Sequence, residues 1–196
     1  MSILSELKVP SFGAGGIPDV DEKTYQLKVD GLVEEAVTFS LDEIKGWPKS
    51  TVGARLTSVS GWSVRANWQG SLWRDFLESV APRPEASHAT FISLGGGYST
   101  TVSLEDFDHP RVLLVYAVDG EPLEVKYGGP LRMVIPHLYG YKSAKWLSNI
   151  EFVDSMRGGY WEDRGYSRSG NIEPGTTLDV NTGVRRPIKG GEVLDF

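Results

Sequence analysis

Cysteine is missing from all 196 residues of the sequence. That absence excludes disulfides, thiolate metal ligands and cysteine nucleophiles. Histidine is scarce, with only His88, His109 and His137, set far apart. None lies in a recognisable nucleophile context and no G-x-S-x-G elbow occurs, so a Ser-His-Asp triad is poorly supported. Zinc and non-haem iron would need clustered ligands, and no H-x-x-E pattern is found. No apolar run reaches the roughly 18 residues of a membrane helix, so no membrane span is expected. The opening MSILSELKVPSFGAGG has no basic start, apolar core or twin arginine, and a cytoplasmic location is expected.

Acids are lacking in two strips. Residues 44–74 carry Lys45, Lys49, Arg55, Arg65 and Arg74, and residues 125–150 carry Lys126, Arg132, His137, Lys142 and Lys145; neither strip contains Asp or Glu. The chain as a whole holds 26 acids and a net charge of −6, which argues against nucleic-acid binding. If the two strips meet in the fold, they form a positive site suited to a small, multiply charged anion. The plainer alternative is that they are solvated faces.

What is present points to a single β-rich domain. The 23 glycines and 11 prolines punctuate the chain and suggest many short strands joined by turns. TYQLKVDG alternates as a half-buried strand, and Ser40 with Glu43 forms a capping box for a short helix. SLWRDFLESVAP reads as a helix with Leu72, Phe76, Leu77 and Val80 on one face and Arg74 beside Glu78 at i,i+4. ATFISL, YSTTVSL, VLLVYAV, PLRMVIP and SNIEFVD follow as strands, with one helical turn at SLED. The pattern predicts an irregular arm over 1–20, a domain over 21–154, and an extended tail over 155–196 packed on the same domain.

The densest stretch is YGGPLRMVIPHLYGYKSAKW, residues 127–146. Gly128, Gly129 and Pro130 predict a turn, Pro136 the end of a buried strand, and LYGYKSAKW a loop presenting Lys142, Ser143 and Lys145. Backbone amides, a hydroxyl and two ammoniums from one loop suit a phosphate or pyrophosphate. A surface loop with solvated lysines fits the spacing equally.

Taken in order, GLVEEAVTFSLDEI, SVSGWSVRANWQG, GGGYSTTVSLED, LLVYAVDGEPLEVKYGGPLRMVIPHLYGYKSAKWLSNIEF and GYW resemble the sulfite-oxidase-type molybdopterin domain. The resemblance runs from about Val20 to Trp161 and is nearest to compact bacterial and archaeal members, close to the molybdenum methionine-sulfoxide reductase catalytic subunit. It implies an α+β fold of β-rich mixed sheets with short helices around a molybdenum–molybdopterin cofactor. On that resemblance Arg132, Ser143, Ala144 and Lys145 contact the phosphate and pterin, and Ser93 gives a hydroxyl contact. Tyr127 stands where a relative has Asn. Tyr98 matches a tyrosine beside the metal, with a core tyrosine as the alternative.

The family pattern Cys-Val-x-Gly-Trp-Ser supplies the protein's thiolate to the metal, and here it reads Ser58-Val59-Ser60-Gly61-Trp62-Ser63. A serine offers a hard, high-pKa oxygen in place of a soft sulfur. It is either a replaced cysteine or a natural serine, the latter leaving an alkoxide-ligated metal or a domain without turnover. A substituted or metal-poor site is favoured, so the cofactor is expected to be absent or poorly retained. Sulfite oxidases have an arginine in the N-terminal arm that helps bind sulfite, and no arginine precedes Arg55 here, so the resemblance implies that sulfite is a weaker substrate than a neutral oxide or another small oxyanion. No haem-attachment motif occurs, so a separate electron-transfer partner is implied. The expected function is oxygen-atom transfer on a small sulfur or other oxide substrate. The alternatives are a non-catalytic binding or scaffold module of the same fold and, last, an immunoglobulin-like sandwich.

Overall fold

The computed structural model describes residues 1–194 and 196. In chain order the elements are α1 (Ile3–Glu6), β1 (Gln26–Gly31), β2 (Val37–Ser40), α2 (Leu41–Gly46), β3 (Ser50–Ser58), β4 (Trp62–Leu72), α3 (Trp73–Val80) and β5 (His88–Ser93). They continue with β6 (Ser99–Ser103), α4 (Leu104–Phe107), β7 (Leu113–Val118), β8 (Glu121–Pro122), β9 (Arg132–Val134), β10 (Leu147–Val153), β11 (Gly175–Asp179) and β12 (Val184–Ile188). One sheet runs β2-β1-β10-β5-β6; the other runs β12-β11-β4-β7-β8, with β3 on β4 and β9 on β7. Each sheet has a parallel pair, β1 with β10 and β11 with β4, among antiparallel neighbours. The fold is α+β, with mixed sheets and short helices.

Local chemistry explains most of the elements. Strand β1 buries Leu27 and Val29 and exposes Gln26 and Lys28, as period-two alternation requires. Ser40 and Glu43 close both halves of a capping box on α2. Ser103 caps α4 through the Asp106 amide. Helix α3 begins at Trp73, two residues later than the predicted segment, because Ser71 and Leu72 pair with Leu114 and Leu113 in β7. Its buried face is Trp73, Phe76 and Val80, and Arg74 contacts Asp75 at 3.5 Å in place of the expected Glu78.

Two cores result. Trp73 stacks on Phe107 at 4.2 Å and touches Phe76 and Phe91, filling the larger core beside the first sheet. The smaller core joins Leu56, Val64, Trp68 and Tyr127 to Leu4 and Val9 of the N-terminal arm. That arm is less irregular than its composition suggests. It holds α1, the Tyr127 hydroxyl donates to the Leu4 carbonyl at 2.9 Å, and Glu124 accepts from the Ser2 amide and the Ser5 hydroxyl.

The C-terminal segment is also more ordered than an extended tail. Strands β11 and β12 form an antiparallel hairpin that extends the second sheet. The hairpin carries Asp179, 98% buried, onto Arg55 at 2.8 Å.

Candidate functional site

Ser58 ends β3, and Trp62 pairs with it across a turn that Gly61 completes at φ +82°. The Ser60 amide donates to the Ser58 hydroxyl at 3.1 Å, which holds the half-buried side chain in place. A parallel bridge between Thr57 and Tyr139 ties this hairpin to the loop that follows β9. Hairpin and loop thereby become two walls of one cavity of about 300 Å³. The size suits an organic ligand.

The seven residues that the family resemblance singled out, Ser58, Ser93, Tyr98, Arg132, Ser143, Ala144 and Lys145, all line this cavity. Residues 9–14 of the arm line it too, together with Trp62, Trp68, Trp146 and Trp161. The arm's contribution carried no sequence signal beyond its glycines. Its direct bonds are Ser11 Oγ to the Lys126 carbonyl at 2.7 Å and Lys145 Nζ to Ser11 Oγ at 2.9 Å and to the Phe12 carbonyl.

The two acid-free strips do meet here, but only one supplies the charge. Arg55 pairs with Asp179, Lys45 with Glu22 at 3.6 Å, and Arg74 with Asp75. The first strip gives the cavity Leu56, Ser58, Trp62 and Trp68, while Arg132 and Lys145 come from the second. Lys142 departs from expectation. It turns away and its Nζ binds Glu162 Oε1 at 2.6 Å, with both side chains fully buried.

Arg132 is 5% exposed and donates to three carbonyls: Nε to Met133, Nη1 to Tyr127 at 2.7 Å and Nη2 to Ser143 at 3.2 Å. A guanidinium has five N–H donors, so two remain for a ligand. Neither Arg132 nor Lys145 has a carboxylate partner among the described residues. Burial pushes Arg132 down to about 10. Burial, then the charge of Arg132, pushes Lys145 down to about 7. Two cations without carboxylate partners on the wall of one cavity can together attract an anion.

The backbone shapes that site. Gly128 has φ +109°, and a Cβ on it would lie 2.8 Å from Lys145 Cγ. Ser93 Oγ donates to the Lys145 carbonyl at 2.6 Å, and Ser143 Oγ accepts from the Ile135 amide at 3.0 Å. The amides of Ser143 and Ala144 close onto the Gly140 and Lys142 carbonyls. These two are therefore spent internally, contrary to the expectation of free amide donors. Tyr98 donates to the Tyr141 carbonyl, and burial followed by the charge of Glu162 pushes its phenol up, so it stays protonated at physiological pH.

Lys145 makes anion binding depend on pH. Its usual value of 10.5 falls to about 7 in the folded chain, so it is charged below pH 7 and neutral above. A bound dianion favours the ammonium, so binding takes up a proton and affinity falls as pH rises through 7. Sulfate stays a dianion across this range. Its affinity by calorimetry is expected to drop about tenfold from pH 6 to pH 9, and a Lys145→Gln variant is expected to be flat. A flat wild-type profile would contradict this placement.

Among the described residues no group of three or more His, Asp or Glu could hold a metal ion, and no helix is long and apolar enough to cross a membrane. The family model described as the oxidoreductase molybdopterin binding domain matches residues 14–161. The uncharacterized oxidoreductase YuiH of Bacillus subtilis is 37% identical over 83% of this chain and 82% of its own length. A putative protein-methionine-sulfoxide reductase subunit, YedZ1 of Azospira oryzae, is 31% identical over 80% of this chain but only 59% of its own length. In structure, the sulfane dehydrogenase SoxCD of Paracoccus pantotrophus superposes with a TM-score of 0.70 at 17% identity, covering 90% of this chain and 47% of that one. At that identity the likeness is one of fold.

Proposed function

The chain belongs to the oxidoreductase molybdopterin-binding domain family, and from that premise we propose that it is a molybdenum–pterin oxidoreductase of the oxygen-atom-transfer type whose metal-facing position is Ser58. The observation that carries this reading is a pair of cations without carboxylate partners, buried Arg132 and half-buried Lys145, in a cavity of about 300 Å³ walled by tryptophans. A phosphate tail answers the cations, and a flat ring system answers the tryptophan walls. The organic part of the cofactor therefore fits. Arg132, Lys145 and the Ser143 hydroxyl would hold the phosphate, with Ala144 and the Ser93-anchored Lys145 backbone beside it.

When bound, the molybdenum centre would supply two-electron oxygen-atom transfer. Tyr98 provides a phenol kept protonated by burial and by Glu162. On exchanging the Tyr141 carbonyl for a substrate oxygen, it stabilises charge developing there. The arm residues that reach the cavity, 9–14, carry no charge. This favours a neutral oxide over sulfite. Electrons would come from a separate redox partner.

A second reading, a non-catalytic module that binds the pterin without turnover, is favoured by Ser58 and by the lack of any cysteine. Protein purified from a host that makes the cofactor is expected to carry about one phosphorylated pterin per chain, with molybdenum below that ratio. Pterin fluorescence and elemental analysis measure both. Protein with neither would sink both readings, and pterin without metal or turnover would select the second.

A further inference from the structure

The fully buried Lys142–Glu162 pair lies outside the chemistry described so far. Glu162 Oε1 accepts from Lys142 Nζ at 2.6 Å and from Thr100 Oγ1, while Lys142 Nζ also donates to the Thr101 carbonyl at 2.8 Å. Glu162 Oε2 is buried and has no partner among the described groups. Such a pair costs much desolvation, and apolar residues often replace one without loss of stability. Stability alone is therefore a weak reason for this one.

Its neighbours suggest another reason. Lys142 ends a short 3-10 turn, Gly140–Lys142. The residue before it, Tyr141, accepts the Tyr98 hydroxyl on its carbonyl; the residue after it, Ser143, accepts Arg132. Glu162 itself is held on β6, because the Tyr160 amide donates to Ser99 at 2.8 Å and Thr101 Oγ1 to Gly158 at 2.7 Å. Gly170, at φ +72°, lets the C-terminal segment pass over Lys142, since a Cβ there would lie 2.6 Å from Lys142 Cγ.

We propose that Glu162, reaching in from the C-terminal segment, is a positioning residue of the cavity: through Lys142 it sets the 140–145 loop that anchors Tyr98 at one point and Arg132 at another. The proposal rests on the anion-binding reading above. It makes residues 158–170 part of the site and gives the buried pair a role in binding.

Sulfate calorimetry at pH 6.5 and low temperature, with thermal melting, tests it on the full chain. Taken as charge alone, Glu162→Gln removes a negative group near the site and would tighten sulfate. Taken as stability alone, it lowers melting and leaves affinity unmoved, because the chain remains folded in the cold. Positioning instead predicts sulfate weakened about tenfold. The double variant Lys142→Met with Glu162→Met leaves no buried charge at this pair and is expected to recover most of the melting temperature while staying about tenfold weak. Unchanged or tighter sulfate in Glu162→Gln, or affinity restored with stability in the double variant, would overturn the proposal alone. A wild type that binds no sulfate would overturn it together with the anion-site reading.

Discussion

Arg132→Gln is expected to weaken sulfate binding about 100-fold, the largest loss of any single change in the cavity. The guanidinium spans Met133, Tyr127 and Ser143 with three donors and retains two more for a ligand. Glutamine has one donor group, carries no charge and is too short to reach all three carbonyls. Each buried carbonyl left without a donor costs roughly 1–3 kcal/mol, so a lower melting temperature should accompany the loss. Arg132→Lys separates the two effects. It keeps the charge without the planar fork, and affinity intermediate between wild type and Arg132→Gln is expected. Sulfate binding unchanged in Arg132→Gln would show that the guanidinium is purely structural.

The second large effect concerns the metal. Ser58→Cys is expected to raise the ratio of molybdenum to pterin in purified protein about tenfold. A thiol near pKa 8.5 ionises readily and is a soft ligand, whereas an alcohol holds its proton and is hard. The size change is small and the turn is already set by Gly61 and by the Ser60 amide. The new cysteine would be the chain's only one, so its reactivity reports directly. A thiol reagent should label it in cofactor-free protein and fail to label it in loaded protein. Equal metal content in both proteins, with the thiol freely labelled, would show that position 58 does not face the metal. That outcome would leave the anion site, tested separately through Arg132 and Lys145, untouched.

Legibility in the sequence divides along the range of the interactions. The capping box of Ser40 and Glu43, the alternation of Leu27 and Val29, and the helical turn at SLED are written within four residues of one another and form as expected. Ser143 and Lys145 stood out as part of one dense block with no acid nearby, and the family resemblance added Arg132 from the same block. Lys142 stands in the same block and carries the same charge, yet it serves Glu162. Nothing in local spacing distinguishes the two lysines. The β11–β12 hairpin was missed because TTLDV and VRRPI alternate weakly, and an edge hairpin needs little apolar sequence to pair. The role of the arm was missed because glycine and proline announce irregular chain, not what that chain will cover.

By itself, then, the sequence determined the β-rich class, the short capped helices, the family and the residues able to meet an anion, since each follows from composition, short-range pattern or motif. Only the tertiary structure decided which charges are cancelled and which stay open. Arg55 finds Asp179 from 124 positions away, Lys142 finds Glu162 from 20, and Arg132 finds only carbonyls. Burial makes those choices consequential: a charge in water feels its neighbours only weakly, whereas a desolvated one must be matched or left waiting for a ligand.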